Sequence, residues 1–180
     1  RHLELWVDPA GNDKPPRMVA SGTVNPDGDM SWTVTLSRNT KVSAVFSGDA
    51  GTAPRTVSVI ARTRVAIAVS IARHYKRARI GTHKYYWFHK SVAPVVTTTM
   101  TPHQGRKAFV QLQVLSNGKW KLAGSGYFRL SDAGKVKVKI SAPNRAHIKA
   151  RVRPSYIAGS SGDSLNATTY GKWAYIYWSK

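Results

Sequence analysis

Lys135-Val136-Lys137-Val138-Lys139-Ile140 alternates a cation with an apolar side chain, and the reading of that period decides the fold. Successive side chains of an extended strand point to opposite faces, so Val136, Val138 and Ile140 share one face and Lys135, Lys137 and Lys139 the other. A helix would scatter both sets around its axis. Ser131-Asp-Ala-Gly134 turns into the run, and beyond it Ile148, Ala150 and Val152 alternate with Lys149, Arg151 and Arg153 in the same way.

Working outward, the same period recurs. Val110, Leu112 and Val114 alternate into Ser116-Asn-Gly118, whose Asn-Gly pair is a strong hairpin signal. Trp120 to Leu130 reads as a pair of short strands, Tyr86 to Phe88 and Val95 to Met100 as strands, Thr101 to Gly105 as a loop, and Trp173 to Trp178 as the closing strand. Toward the amino end, Leu3, Leu5 and Val7 share a face, as do Trp32, Val34 and Leu36, then Val42, Ala44 and Phe46. Asn25-Pro-Asp-Gly28 is a turn in which Pro fixes φ and Gly supplies a positive one. No stretch carries a helical period. The pattern predicts an all-β chain of half-buried antiparallel strands.

Laying the halves over one another reveals a repeat at an offset near a hundred residues, about one β-sandwich unit. Leu3, Leu5, Val7 answers Val110, Leu112, Val114; Ser21-Gly22 answers Ser125-Gly126; Trp32, Val34, Leu36 answers Val136, Val138, Ile140; Val42, Ala44, Phe46 answers Ile148, Ala150, Val152. The predicted architecture is two tandem Ig-like antiparallel sandwiches, residues 1–62 and 63–180. The first lacks its initial strands, because nothing before Leu3 answers residues 64–109. Those strands are expected either upstream in the same protein or by donation from a partner, since a sandwich without them has an open core and an unpaired edge.

Charge divides the chain at the same place. Net charge is +20, from 28 Lys and Arg against 8 Asp and Glu, and residues 1–62 hold +1 of it while residues 63–180 hold +19. Between Asp49 and Asp132 no carboxylate side chain occurs. Such an imbalance costs self-repulsion and favours polyanionic partners. Cysteine is absent, which removes disulfides, thiolate metal sites and Cys nucleophiles. No apolar run approaches the ~18 residues of a membrane helix.

Within the basic half, residues 72–90 interleave cations, histidines and aromatics. Arg73, Lys76, Arg77, Arg79, Lys84 and Lys90 are candidates to pair with phosphates or carboxylates, and Tyr75, Tyr85 and Trp87 to stack on a sugar or base. Tyr86 and Phe88, in the opposite phase, are assigned to the core. The outward rows Lys135, Lys137, Lys139 and Lys149, Arg151, Arg153 place like charges at two-residue spacing without nearby acids, and are the second candidate surface for a polyanion; a solvated face is the competing reading.

Chemistry other than binding finds little footing. His74, His83 and His89 lie close in sequence, but strand phase scatters them and no carboxylate is near to orient a metal ligand. Gly162-Asp-Ser164 is similar to part of a serine-protease nucleophile loop, yet Leu165 stands where that loop needs glycine. Asn166-Ala-Thr168 matches a glycosylation sequon. Paired catalytic carboxylates are not available with Asp132 and Asp163 as the only acids of the second half. No catalytic residue, metal or cofactor is assigned.

Val24-Asn-Pro-Asp-Gly28, Trp32-Thr-Val-Thr-Leu36, Arg38-Asn-Thr40 and Val42-Ser-Ala-Val-Phe-Ser-Gly-Asp49 with Ala53-Pro54 resemble the Ig-like repeats of secreted actinobacterial surface proteins. Tyr85-Tyr-Trp-Phe-His89, Thr97-Thr-Thr-Met100 and Pro154-Ser-Tyr-Ile-Ala-Gly-Ser-Ser-Gly-Asp-Ser164 resemble the carboxy-terminal domain often found in the same proteins. The resemblance implies a secreted or cell-surface protein with no catalytic residues to transfer. The expected function is a non-catalytic binding or assembly module whose basic domain engages a wall polymer, acidic glycan, nucleic acid or acidic protein. The alternative is a spacer or subunit of an extracellular fibre or complex, assembled through the open first sandwich.

Overall fold

Every alternating run of the second half forms a strand in the computed structural model, which describes residues 1–180, and none of the chain is helical. No helix is therefore long and apolar enough to cross a membrane. The protein has an all-β sandwich fold, built from antiparallel sheets. It divides into two compact units: Arg1–Arg64 with Ser164–Ala167, and Val65–Asp163 with Thr168–Lys180.

The first unit holds one sheet. Strands β1 (His2–Pro9), β2 (Arg17–Thr23), β3 (Thr40–Phe46) and β4 (Arg55–Ala61) pair antiparallel in the order β2-β1-β3-β4. Leu5 faces Ala44 and Val7 faces Val42, as their shared phase requires. Trp32, Val34 and Leu36 keep their predicted alternation, half-buried between exposed Ser31, Thr33 and Thr35, but pair with no strand. Met30 packs on Gly22, and Val34 and Leu36 line a small cavity with Val7 and Thr40, so this extended segment covers part of one face of the sheet. The cover is incomplete. Val7 is the unit's one buried hydrophobic residue, while Val57, Val59 and Ile60 of edge strand β4 are 57–64% exposed.

Residues 164–167 finish this unit. Asn39 donates its backbone N–H to the Leu165 carbonyl, and the buried Asn166 amide donates to the Ser37 carbonyl (3.0 Å) and Thr63 Oγ1 (2.9 Å). The sequon asparagine is thus a buried structural donor.

The second unit is a two-sheet sandwich. Its smaller sheet runs β11 (Lys135–Lys139), β8 (Val95–Met100), β5 (Ile67–Ala72). The larger runs β10 (Lys119–Arg129), β9 (Lys107–Ser116), β12 (Ile148–Tyr156), β14 (Ala174–Ser179), β7 (His83–His89), β6 (Lys76–Ile80), with the short β13 (Thr169–Tyr170) on β12. Phe88, Val96, Met100, Ala108, Val152, Tyr156, Ile176 and Trp178 fill the space between the sheets, and Tyr86 packs against them.

Three features differ from the pattern read in the sequence. Trp120 to Leu130 is one long strand rather than two, because a bulge between Leu122 and Gly124 absorbs the break in alternation. Lys76–Ile80, to which the alternation assigned no strand, is β6. Strand β14 pairs in parallel with β7, a neighbour from ninety residues earlier that local alternation cannot nominate.

The four strands β2-β1-β3-β4 and the four strands β10-β9-β12-β14 have the same order and the same pairing sense. Their bulges coincide too: Leu5 and Trp6 face Ala20 and Met18 across Val19, as Leu112 and Gln113 face Gly124 and Leu122 across Ala123. Superposed on that bulge, Val42 and Ala44 fall on Ala150 and Val152, two residues from where the sequence alignment set them.

Candidate functional site

The candidate surface lies on the second unit, in which an internal lock joins the loop before β9 to the loop after β12. Arg106 is 2% exposed, a guanidinium far too costly to bury without a partner. Asp163 supplies one, accepting from its Nε and Nη2 at 2.8 Å each, while the Thr101 carbonyl takes Nη1 at 2.8 Å. The Arg106 guanidinium stacks over the Tyr156 ring at 4.8 Å, and the Tyr156 hydroxyl donates to the Asp163 carboxylate at 2.7 Å. Gly162, at φ +99°, brings the backbone against the Gly105 carbonyl, where an added Cβ would stand 2.6 Å away. Asp163 therefore holds two loops together, with its oxygens committed to that role.

On the outer face of the large sheet, rings and guanidiniums alternate. Arg153 lies over Tyr170 (4.8 Å) and Trp173 (4.5 Å); Arg151 lies over Trp173 (4.2 Å) and Trp120 (4.5 Å). Trp120 meets Tyr175 edge-on at 6.0 Å, and Tyr175 packs on Tyr85 and stacks on His83 at 4.1 Å. Gln113 and Gln111 of β9 accept from Arg151 Nε (2.8 Å) and Arg153 Nη2 (3.2 Å), which fixes both guanidiniums in plane. Each such contact is worth about 0.5–2 kcal/mol, more as water is excluded. Arg153 Nε is buried without a hydrogen-bond partner.

The predicted residues thus separate onto three surfaces. Lys135, Lys137 and Lys139 project from edge strand β11 beside Thr97 and Thr99 of β8, on the outer face of the small sheet. Lys149, Arg151 and Arg153 lie on the opposite side of the sandwich, all half-buried, with the two arginines held in the ring ladder. Lys76, Arg77, Arg79 and Lys84 are exposed on the β6–β7 hairpin, flanked by exposed Arg73 and Lys90. Arg73 has φ 74° and reaches the Ala93 carbonyl at 3.4 Å.

The stacking candidates fare differently from one another. Tyr85 is 4% exposed, because Tyr175 on the neighbouring β14 covers it, so its ring presents no face for a ligand. Burial is also the main cause that pushes its phenol pKa up; the nearby Tyr175 adds to it and Arg151 opposes it. Trp87 is half-buried, with Lys76 Nζ 4.9 Å over its ring and Tyr177 against it edge-on. Tyr75 is 50% exposed but stacks on His89 at 4.4 Å.

Sequence reasoning missed Trp120, Tyr170, Trp173, Tyr175 and Tyr177. The phase of β14 was legible, since Trp173, Tyr175 and Tyr177 alternate with Ala174, Ile176 and Trp178. Their partners were not, because pairing of β14 with both β12 and β7 brings the ladder together.

Between the two sheets, beside β5, a cleft of about 390 Å³ opens. Ile67, Val69 and Pro154 form part of its wall, and Arg77, Lys84 and Lys172 reach it alongside Tyr86 and Trp173. The arrangement offers positive charge, aliphatic surface and rigid aromatic edges, which are the parts of a site that holds an anion in place.

A basic, two-sheet β-sandwich unit with a cation-lined edge is the class that fold and surface define together. No family model, curated protein or solved structure matches the chain.

Proposed function

We propose that the chain is a non-catalytic extracellular binding module, secreted or at the cell surface, whose second unit engages an anionic polymer or an acidic protein surface. One observation carries this reading. The salt bridge of the second unit joins the buried Arg106 to Asp163, and His103 lies 3.7 Å from the same carboxylate, so the unit's exposed Lys and Arg side chains form no ion pair with a carboxylate. Like charges held this way repel, and a multivalent anion relieves the cost while releasing counterions. Among anionic partners, bases of a single-stranded nucleic acid receive the least support, because the ring faces they would stack on carry Lys76, His89, Arg151 or Arg153.

Retention on heparin tests the proposal. It is expected to be lost at moderate salt. Charge reversal of Arg73, Lys76, Arg77 and Arg79 is expected to weaken it more than reversal of Lys14, Arg17, Arg38 and Lys41. Equal effects from the two sets would sink the local surface, and no retention at low salt would sink the function.

The open sheet of the first unit supports a second reading, in which the chain is a subunit or spacer of an extracellular assembly. Common strand order and a common bulge favour descent of the two units from one Ig-like repeat of the kind found in secreted actinobacterial surface proteins. The second unit has β5, β8 and β7 beyond its four-strand array, while in the first unit, which lacks them, β4 stays exposed. Strands of that pattern, whatever chain supplies them, would complete it. Concentration-dependent association abolished by Val59→Lys supports this reading; a monomer at all concentrations counts against it.

A further inference from the structure

The large sheet is wider than the small one. Strand β5, the edge of the small sheet, lies against β12 and β14, and its Ile67 and Val69 line one cleft with Arg77 of β6 and Lys84 and Tyr86 of β7. Residues directly paired across β6 and β7 share a face, which puts Arg77 with Tyr86 and Arg79 with Lys84 on the inner side, where Tyr86 packs against the core. In an ordinary sandwich edge those positions would be apolar or capped by a carboxylate. Here like charges oppose each other directly, an arrangement that destabilises a hairpin by itself.

A third cation comes from elsewhere in the chain. Gly171 donates its N–H to the Pro154 carbonyl at 2.9 Å, and a Cβ at Gly171 would stand 2.6 Å from that same oxygen. Only glycine permits so close an approach, and the approach pins Lys172 beside Arg77 and Lys84 at the cleft mouth. Arg77 is held too, its guanidinium 4.6 Å over the Tyr86 ring, with His74 edge-on to the same ring at 4.9 Å. No acidic residue lines the cleft.

We propose that Arg77, Lys84 and Lys172 form a seat for the sulfate or carboxylate group of one acidic sugar unit, the rest of which lies against Ile67, Val69 and Pro154. The assignment rests on the polyanion reading above and locates it. A cavity of about 390 Å³ is within the ordinary range of small-molecule sites, which is roughly 300–1,000 Å³. Its aliphatic wall suits the C–H face of a sugar. Tyr86, whose ring already carries Arg77 and His74, offers no free face to a nucleobase.

Titration of the isotope-labelled full chain with a fully sulfated heparin disaccharide tests the seat. Saturable shifts are expected at the Trp173 indole and at the Lys84 and Lys172 amides. The triple variant Arg77→Gln, Lys84→Gln, Lys172→Gln is expected to weaken binding about tenfold or more, a step set by three lost charge contacts. The triple Lys135→Gln, Lys137→Gln, Lys139→Gln removes the same charge from the other sheet and is expected to leave it within about twofold. All six positions are exposed, and unchanged melting of each triple excludes misfolding as the cause. Equal weakening by both triples, or shifts confined to other residues, overturns the seat while retention on heparin leaves the polyanion reading standing. An oligodeoxythymidylate of equal charge that binds the cleft as tightly as the disaccharide overturns the sugar assignment. Absence of heparin retention by the unmodified chain at low salt overturns both readings.

Discussion

Arg106 shows how a single residue can be both essential to the fold and invisible in the sequence. It stands in a loop among many cations, and nothing local distinguishes it; only the return of Asp163, fifty-seven residues on, makes its burial tolerable. Asp163→Asn preserves shape and removes the countercharge, so it is expected to cost about 3–5 kcal/mol in urea unfolding, the usual penalty for an orphaned buried charge. A loss below about 1 kcal/mol would mean that water reaches the guanidinium. Tyr85 gives a second test at this scale. Its phenol pKa is raised in the folded state, chiefly by burial, above the unfolded value of about 10. Below that value both states hold the proton and pH has no effect through this group. As pH rises past it, unfolding releases a proton that folding retains, so stability falls until the folded phenol also ionises. Tyr85→Phe keeps the ring against Tyr175 and is expected to flatten this part of the alkaline decline in unfolding curves; an unchanged slope would show that other groups set it. The reading of Tyr85 as an outward residue had the right phase. What alternation could not convey is that an outward side chain is covered when its neighbouring strand also carries large rings.

At the scale of elements, the contrast between β4 and β14 separates what a strand's sequence dictates from what its neighbours do. Val59 faces Val42 as Ile176 faces Ala150, and the two strands occupy corresponding edges of corresponding four-strand arrays. Yet Ile176 is fully buried and Val59 is 64% exposed, because β5, β8 and β7 have no counterparts in the first unit. Ile176→Ala is accordingly expected to cost about 2–5 kcal/mol, and Val59→Ala less than about 0.5 kcal/mol, measured by hydrogen exchange of the amides in each strand's own sheet. Comparable losses at both sites would mean that the first sheet is covered in solution. Strand existence was legible almost throughout, since period-two alternation is a local property. Register was less so. The alignment of Val42 with Ile148 erred by two residues, the smallest slip that keeps every side chain on its proper face, so hydrophobic pattern could not detect it. Trp32 to Leu36 has the pattern of a strand and the alternating burial of one, but lacks a partner to pair with.

For the whole molecule, the distribution of charge makes stability and binding respond to salt with opposite signs. The second unit carries +18 and the first +2, counted over the residues that each contains. Raising ionic strength from about 0.01 M to 0.15 M shortens the screening length from roughly 30 Å to 8 Å. Repulsion among the cations of β6, β7 and β11 then weakens, and the folded second unit gains relative to an expanded chain in which those charges are further apart. Amide protection in β9, β12 and β14 is therefore expected to rise with sodium chloride while protection in β1 and β3 stays nearly constant, and heparin affinity is expected to fall across the same range. A bound anion adds to screening by mass action, in proportion to its occupancy. At matched ionic strength and a few millimolar anion, far below the roughly molar range in which sulfate stabilises proteins by exclusion, sulfate should protect the second unit beyond chloride. The Arg77, Lys84, Lys172 triple variant should abolish that excess while preserving the chloride response. If sulfate and chloride act alike on the unmodified chain, its charge is felt only as a diffuse field and the cleft holds no anion.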